Sequence, residues 1–298
     1  MEAYAYQLLT IGQFASLALS WVIMTVSAAA AVALTKSQWK LGRAGYFLSM
    51  GFIVLLTVIP NFLLLYTAEA IKNEHLALLV GAIYGALVPI GGLAGIFAAA
   101  RSMDAHGTRE KWVLGFIPIV NLFLLFAQPM ASSKKGFVKL LGAVATVILG
   151  FALMFAGKSL ESVAKQNIQR VDASTQDDVA LVAKKMAYEA KNKGLEKYLK
   201  EIANAVPVPE KIDSITTLTA LKAEGNALKY TYEISGADFK FDKAWKDLMM
   251  SRWCAPEVFK PMFDIGALVT GHYVDTKGNT LAEISVSPSL CDVWRLNR

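Results

Sequence analysis

The sequence predicts a membrane α-helical bundle followed by a small α+β domain with a four-stranded antiparallel sheet. Three observations predict it. Of 298 residues, 55% are hydrophobic, more than an ordinary soluble chain of this size carries. That excess lies almost entirely before residue 158. Charge divides at the same place: residues 1–157 hold ten Lys/Arg and five Asp/Glu, and residues 158–298 hold twenty and nineteen. The expected organisation is a transmembrane helical domain over 1–157, a stalk and amphipathic helix over 158–204, and an α+β domain over 205–298.

The run from Leu8 to Thr35 has no ionisable residue over 28 positions, enough to cross a hydrocarbon core of about 30 Å. Met1 to Gln7 lacks the basic region of a cleavable signal peptide, so this run is expected to remain as an anchor. Gly45 to Ala68 and Leu76 to Ala100 are likewise uncharged and long enough to span. Gly136 to Gly157 is a fourth span, with Lys139 and Lys158 placed to snorkel at its ends.

The segment Trp112 to Pro129 is harder to place. Its apolar part ends at Ala127 and reaches about 24 Å as a helix, short of a comfortable crossing. Pro118 interrupts it, removing a donor that hydrocarbon cannot replace. It is either re-entrant or a short fifth span. Positive charge favours re-entry: Lys36, Lys40, Arg43, Arg101, Arg109, Lys111, Lys134, Lys135 and Lys139 then share one side, with Lys72 alone opposite. That arrangement puts the N-terminus and the C-terminal domain in the periplasm of a bacterial inner membrane.

Cys254 and Cys291 both fall in the domain expected outside, where a lone pair is naturally a disulfide. Two buried thiols in a cytoplasmic domain is the alternative.

Apart from Lys139 at the start of the fourth, no Asp, Glu, Lys, Arg or His lies within the expected spans, which argues against an ion-coupled carrier or pump. Pro60 with Asn61, Pro89 before Gly91 and Gly92, and Pro118 with Asn121 are candidate intramembrane polar or kink sites. Such breaks either line a cavity or are kinks whose freed backbone groups find neighbours. Gly81 with Gly85, Gly91 with Gly95, and Gly142 with Thr146 and Gly150 stand at the spacing of close helix packing, within one chain or between chains.

Arg101-Ser-Met-Asp104-Ala-His-Gly107, followed by Trp112 and Ile117-Pro118-Ile-Val-Asn121-Leu, resembles a signature of small bacterial inner-membrane proteins in which an Arg/Asp/Gly loop precedes an Ile-Pro segment. The serine-glycine those proteins tend to show before the tryptophan is absent here. The resemblance brings no catalytic role. His106 reads as a solvated loop histidine, because no second ligand stands at metal spacing.

From Lys158 the last span continues as a helix marked by Leu160, Val163, Ile168 and Val171. Ser174 with Asp177, or Thr175 with Asp178, offers a capping pattern for a new helix, and Gly194 marks a kink or break in it. Two hairpins follow. Ile215 to Leu221 and Leu228 to Ile234 flank one turn, and Leu268 to Val274 and Leu281 to Val286 flank the other. Leu228, Tyr230, Tyr232 and Ile234 alternate with polar residues, giving one buried face. Helices over Asp242 to Trp253 and onward to Gly266 separate the hairpins, for the order αββααββ.

The stretch VPEKIDSITTLTALKAEGNALKYTYEI, then Cys254, then YVDTKGNTLAEISVSPSLC, resembles a module at the C-termini of functionally uncharacterised membrane proteins and lipoproteins of Gram-negative bacteria. The resemblance covers residues 205–292 and implies an envelope location and a Cys254–Cys291 bond. It implies no activity.

No nucleophile–base pair, zinc spacing, phosphate loop or dinucleotide fingerprint is present, and His272 stands alone on a strand. No catalytic residue, metal or cofactor is expected, nor nucleic-acid binding, because the C-terminal half has no basic block. The expected function is a non-enzymatic inner-membrane subunit whose periplasmic domain binds a protein partner in an envelope assembly. The alternative is passive transport or lipid handling through the proline-broken helices. Expected partners are membrane lipid and other envelope proteins, or a second copy of the chain.

Overall fold

The computed structural model describes all residues except 37, 118–119, 129–136, 175–177, 236–240 and 297–298. At 137–139, 172–173, 256–258 and 295 it describes the backbone alone. Pro118, and Thr175 and Asp177 of the capping pattern, lie outside the described residues. The chain forms two compact units: Leu8–Ser174, and Thr175–Arg298 together with Met1–Gln7.

In order, α1 (Glu2–Thr10), α2 (Gln13–Leu34), α3 (Arg43–Leu56), α4 (Val58–Leu63), α5 (Thr67–Lys72), α6 (Leu76–His106), α7 (Asn121–Phe126) and α8 (Phe137–Ser174) are followed by α9 (Val179–Lys193) and α10 (Leu195–Ala205). Strands β1 (Glu210–Lys211), β2 (Thr216–Glu224) and β3 (Ala227–Ile234) come next. Then come α11 (Lys243–Trp253), α12 (Pro256–Asp264), β4 (Leu268–Asp275), β5 (Thr280–Val286) and α13 (Pro288–Leu296).

Among the described residues, four helical segments are long and apolar enough to cross a membrane: Gln13–Leu34, Arg43–Lys72, Leu76–His106 and Leu140–Val171. The second is not one rod. Thr57 ends α3, and a 3-10 turn at Leu64–Tyr66 separates α4 from α5. Proline at position 60 cannot donate to the ladder, and Thr57 and Asn61 side chains bond to Val54 and Thr57 carbonyls within the break. Residues 110–126 hold a 3-10 segment, Glu110–Phe116, and the six-residue α7, each far below spanning length.

Glycine sets two helix contacts in this unit. A Cβ at Gly95 would stand 2.7 Å from Ala28 Cα, so α6 and α2 meet backbone to backbone. A Cβ at Gly51 would stand 2.5 Å from the Gly150 carbonyl oxygen, which brings α3 and α8 together in the same way. The four spanning-length helices therefore pair as α2 with α6 and α3 with α8.

In the other unit, α9 begins at Asp178, whose carboxylate accepts from Leu181 N at 3.0 Å. Gly194, at φ +85°, separates α9 from α10, a backbone angle few other residues adopt. The sheet has five strands in the order β1-β2-β3-β4-β5, where four were expected. It is also mixed, because β3 and β4 run parallel. The two hairpins have the expected antiparallel sense, but α11 and α12 form a crossover between them. A crossover of that length returns the chain to its starting edge, so β4 enters alongside β3 in the same direction. The added strand, β1, is only two residues long, too short to create an alternating pattern.

Leu199 and Ala203 of α10 pack on Leu221 and Leu228, while Trp253 and the disulfide half-cystines join Val269, Tyr273, Ile284 and Val286. The inner-face pattern read from β3 holds: Tyr230 and Tyr232 pack onto this core. A Cβ at Gly271 would collide with the Trp253 ring lying over it. On the sheet, Thr270 bonds Ser285 and His272 bonds Thr280 at exposed positions.

Candidate functional site

Three arginines organise one end of the Leu8–Ser174 unit. Arg101 is 0% exposed, and its Nε donates to the Leu124 carbonyl at 2.8 Å. One terminal nitrogen donates to the Ala127 carbonyl at 2.5 Å, and the other pairs with Asp104 one turn on. Arg43 Nε donates to the same Ala127 carbonyl at 2.9 Å. Arg109 donates to the carbonyls of Thr35 and Val32 and to the Thr35 hydroxyl. These carbonyls belong to the last turns of α7 and α2, where backbone acceptors have no partner within the helix and the helix dipole is negative. A planar guanidinium with a fork of donors satisfies two carbonyls at once, which lysine cannot do.

Sequence reasoning placed Arg101 in a loop and counted only its charge. The helix runs on through Arg101 to His106, so the arginine lies inside α6. The signal was present in the Arg101-x-x-Asp104 spacing, which puts guanidinium and carboxylate on one helix face.

Beside the arginines, Tyr46 donates its hydroxyl to Asn121 Oδ1 at 2.6 Å. The pair borders a cavity of about 130 Å³ whose other walls include Met50, Ile53, Ala94 and Phe97. Asn121 is thus placed at a cavity, whereas Asn61 bonds within its own segment. Pro89 lies inside an unbroken α6. Because Tyr46 and Asn121 satisfy each other and the Ser49 hydroxyl, also in the wall, donates to the Gly45 carbonyl, the cavity offers a largely apolar interior. It suits a small apolar group better than an ion.

The glycine pairs separate into two sets. Gly91 and Gly95 press on Met24 and Ala28, and Gly150 presses on Phe47 and Leu48. A Cβ at Gly81, Gly85 or Gly142 would meet nothing within 4 Å.

In the other unit Cys254 and Cys291 form a disulfide, joining the end of α11 to α13. Opposite Cys291 on α13, Leu290 and Val293 are 48% and 54% exposed. Met1–Gln7 packs in this unit: Ala3 and Ala5 are buried, and the Tyr6 ring centroid lies 5.5 Å from that of Tyr188. Burial, then the Glu189 carboxylate, pushes the Tyr6 hydroxyl up to about 12. The Asn279 side-chain amide, then its backbone N–H, holds the Asp275 carboxyl below its usual range. Among the described residues there is no group of three or more His, Cys, Asp or Glu side chains arranged to hold a metal ion.

No protein-family model and no curated protein sequence matches the chain. Among solved structures, a candidate secreted protein from Pseudomonas aeruginosa is similar at 18% identity and a TM-score of 0.31, over 34% of this chain and 96% of that one. A likeness of that size carries no argument about this chain.

Proposed function

We propose that the chain is a non-catalytic subunit of a bacterial inner membrane, with four spans as its anchor and the unit formed by Met1–Gln7 and Thr175–Arg298 in the periplasm. In this reading the periplasmic unit belongs with the C-terminal modules of Gram-negative membrane proteins and lipoproteins, and it docks a protein partner of the envelope. The observation that carries the reading is α13. Its Leu290 and Val293 turn outward at successive helical turns while Cys291 between them is fixed to α11 by the disulfide. A rigid helix with an apolar outer stripe is a standard means of seating a partner groove or helix. The association of Met1–Gln7 with this unit supports an even number of crossings, which leaves residues 110–126 re-entrant.

Purification of the full chain in mild detergent tests the docking. Leu290→Glu with Val293→Glu should release a stoichiometric partner while the disulfide and the melting temperature persist. Undiminished co-purification would reject α13 as the contact. Reporter fusions after Gly157 should read outside. An inside signal there would reject the orientation.

The Tyr46–Asn121 cavity favours a second reading, passive transport or lipid handling by the spans. Retained small molecule in place of retained protein would select it.

A further inference from the structure

Arg43 opens α3 at the end of a spanning-length segment that carries no acidic residue until Glu69. Its Nε is committed to the Ala127 carbonyl, and among the described residues its two terminal nitrogens meet no acceptor. Asp104, which follows on α6, is paired with Arg101. Among the described residues no carboxylate forms an ion pair with Arg43.

Arg43 lines a groove of about 370 Å³ together with Ala44 and Phe47 of α3, Leu125 and Phe126 of α7, and Val147 and Phe151 of α8. Every wall residue apart from Arg43 is apolar. The Phe47 and Phe151 ring centroids lie 4.7 Å apart in its wall, and Phe126 and Phe151 are 68% and 61% exposed. One cationic fork beside an otherwise apolar groove matches an amphiphile's head and tail.

We propose that this groove binds an anionic diacyl phospholipid, with its phosphate on Arg43 and one acyl chain against Phe47, Phe126 and Phe151. A phosphodiester accepts two parallel N–H donors from a guanidinium, the geometry Arg43 leaves open. The negative lipid head neutralises a charge that no carboxylate of the groove answers. A zwitterionic headgroup brings an ammonium toward the same guanidinium. A free phosphate leaves the aromatic wall uncovered. The site rests on the reading of the four helices as spans, but not on the docking role of α13.

The test uses the full chain in nanodiscs containing equal amounts of phosphatidylglycerol and phosphatidylethanolamine, with the lipid retained on release read by native mass spectrometry. Phosphatidylglycerol should be retained preferentially, about fivefold more by the wild type than by Arg43→Gln, the effect of losing one interfacial cation. Arg43→Lys should restore part of the preference. Phe126→Ser, which leaves Arg43 untouched and alters an exposed side chain, should also lower retention. It decides the matter if Arg43→Gln fails to fold. Equal retention of the two lipids, an Arg43→Gln variant that folds and retains as much phosphatidylglycerol, no effect of Phe126→Ser, displacement of the lipid by inorganic phosphate, or a protein found in the groove would each overturn the proposal. Recovery of the chain in the soluble fraction without detergent would instead overturn the reading of the helices as spans.

Discussion

The side-chain amide of Asn192 donates a 2.7 Å hydrogen bond to the backbone carbonyl of Ala3, 189 residues away in sequence. With the Tyr6–Tyr188 ring contact, it fastens the start of the chain onto α9. Tyr6 is neutral at physiological pH, and its folded value of about 12 lies above the ordinary 10.0. Its contribution is therefore fully present below pH 10 and is lost as pH rises through about 12. Limited proteolysis across that range should release the N-terminal segment at the alkaline end. Tyr6→Phe should keep the segment attached at those pH values, and an unchanged alkaline profile in that variant would assign the effect elsewhere.

The two glycine sets give opposite expectations. Gly95→Leu should drive the side chain into Ala28 and break the contact of α6 with α2, lowering the melting temperature of the detergent-purified chain. Gly81→Leu with Gly85→Leu meets open space, so the chain should fold normally. If that double variant changes the oligomeric state on size-exclusion chromatography, these glycines serve contact between chains.

Arg101→Met should cost about 3–5 kcal/mol, because it strands the Leu124 carbonyl and leaves Asp104 without its partner. Arg101→Lys should recover little of this, since an ammonium lacks the fork that reaches both carbonyls. Thermal unfolding in detergent reads both. A loss below 1 kcal/mol for Arg101→Met would show that water replaces the guanidinium.

The disulfide closes a loop of 37 residues, and chain entropy assigns such a link about 4 kcal/mol. Cys254→Ser with Cys291→Ser should lower the unfolding transition of the C-terminal unit and leave Leu8–Ser174 unchanged. Two thiols freely alkylated in the native, unreduced protein would contradict the bond itself.

The sequence by itself determined the features that rest on local pattern. Four long apolar runs dictate four apolar helical segments, because a single segment with no water to bond satisfies its backbone within itself by coiling. The alternation Leu228, Tyr230, Tyr232, Ile234 dictates a strand with one buried face, and the Glu224–Asn226 and Asp275–Asn279 turns dictate two hairpins. Tertiary structure decided what depends on direction and on distant partners. Strand alternation is the same whether a neighbour runs up or down, so the parallel β3–β4 pairing waited on the path of α11 and α12. Glycine spacing is likewise the same in a packed and an open helix face, and only the approach of α2 to α6 and of α3 to α8 separated Gly95 and Gly150 from Gly81 and Gly142. An arginine at a helix end reads as solvated charge until the carbonyls it must reach are in place. For Arg101 they lie 23 and 26 residues further on, in a segment whose own short helix leaves them unpaired.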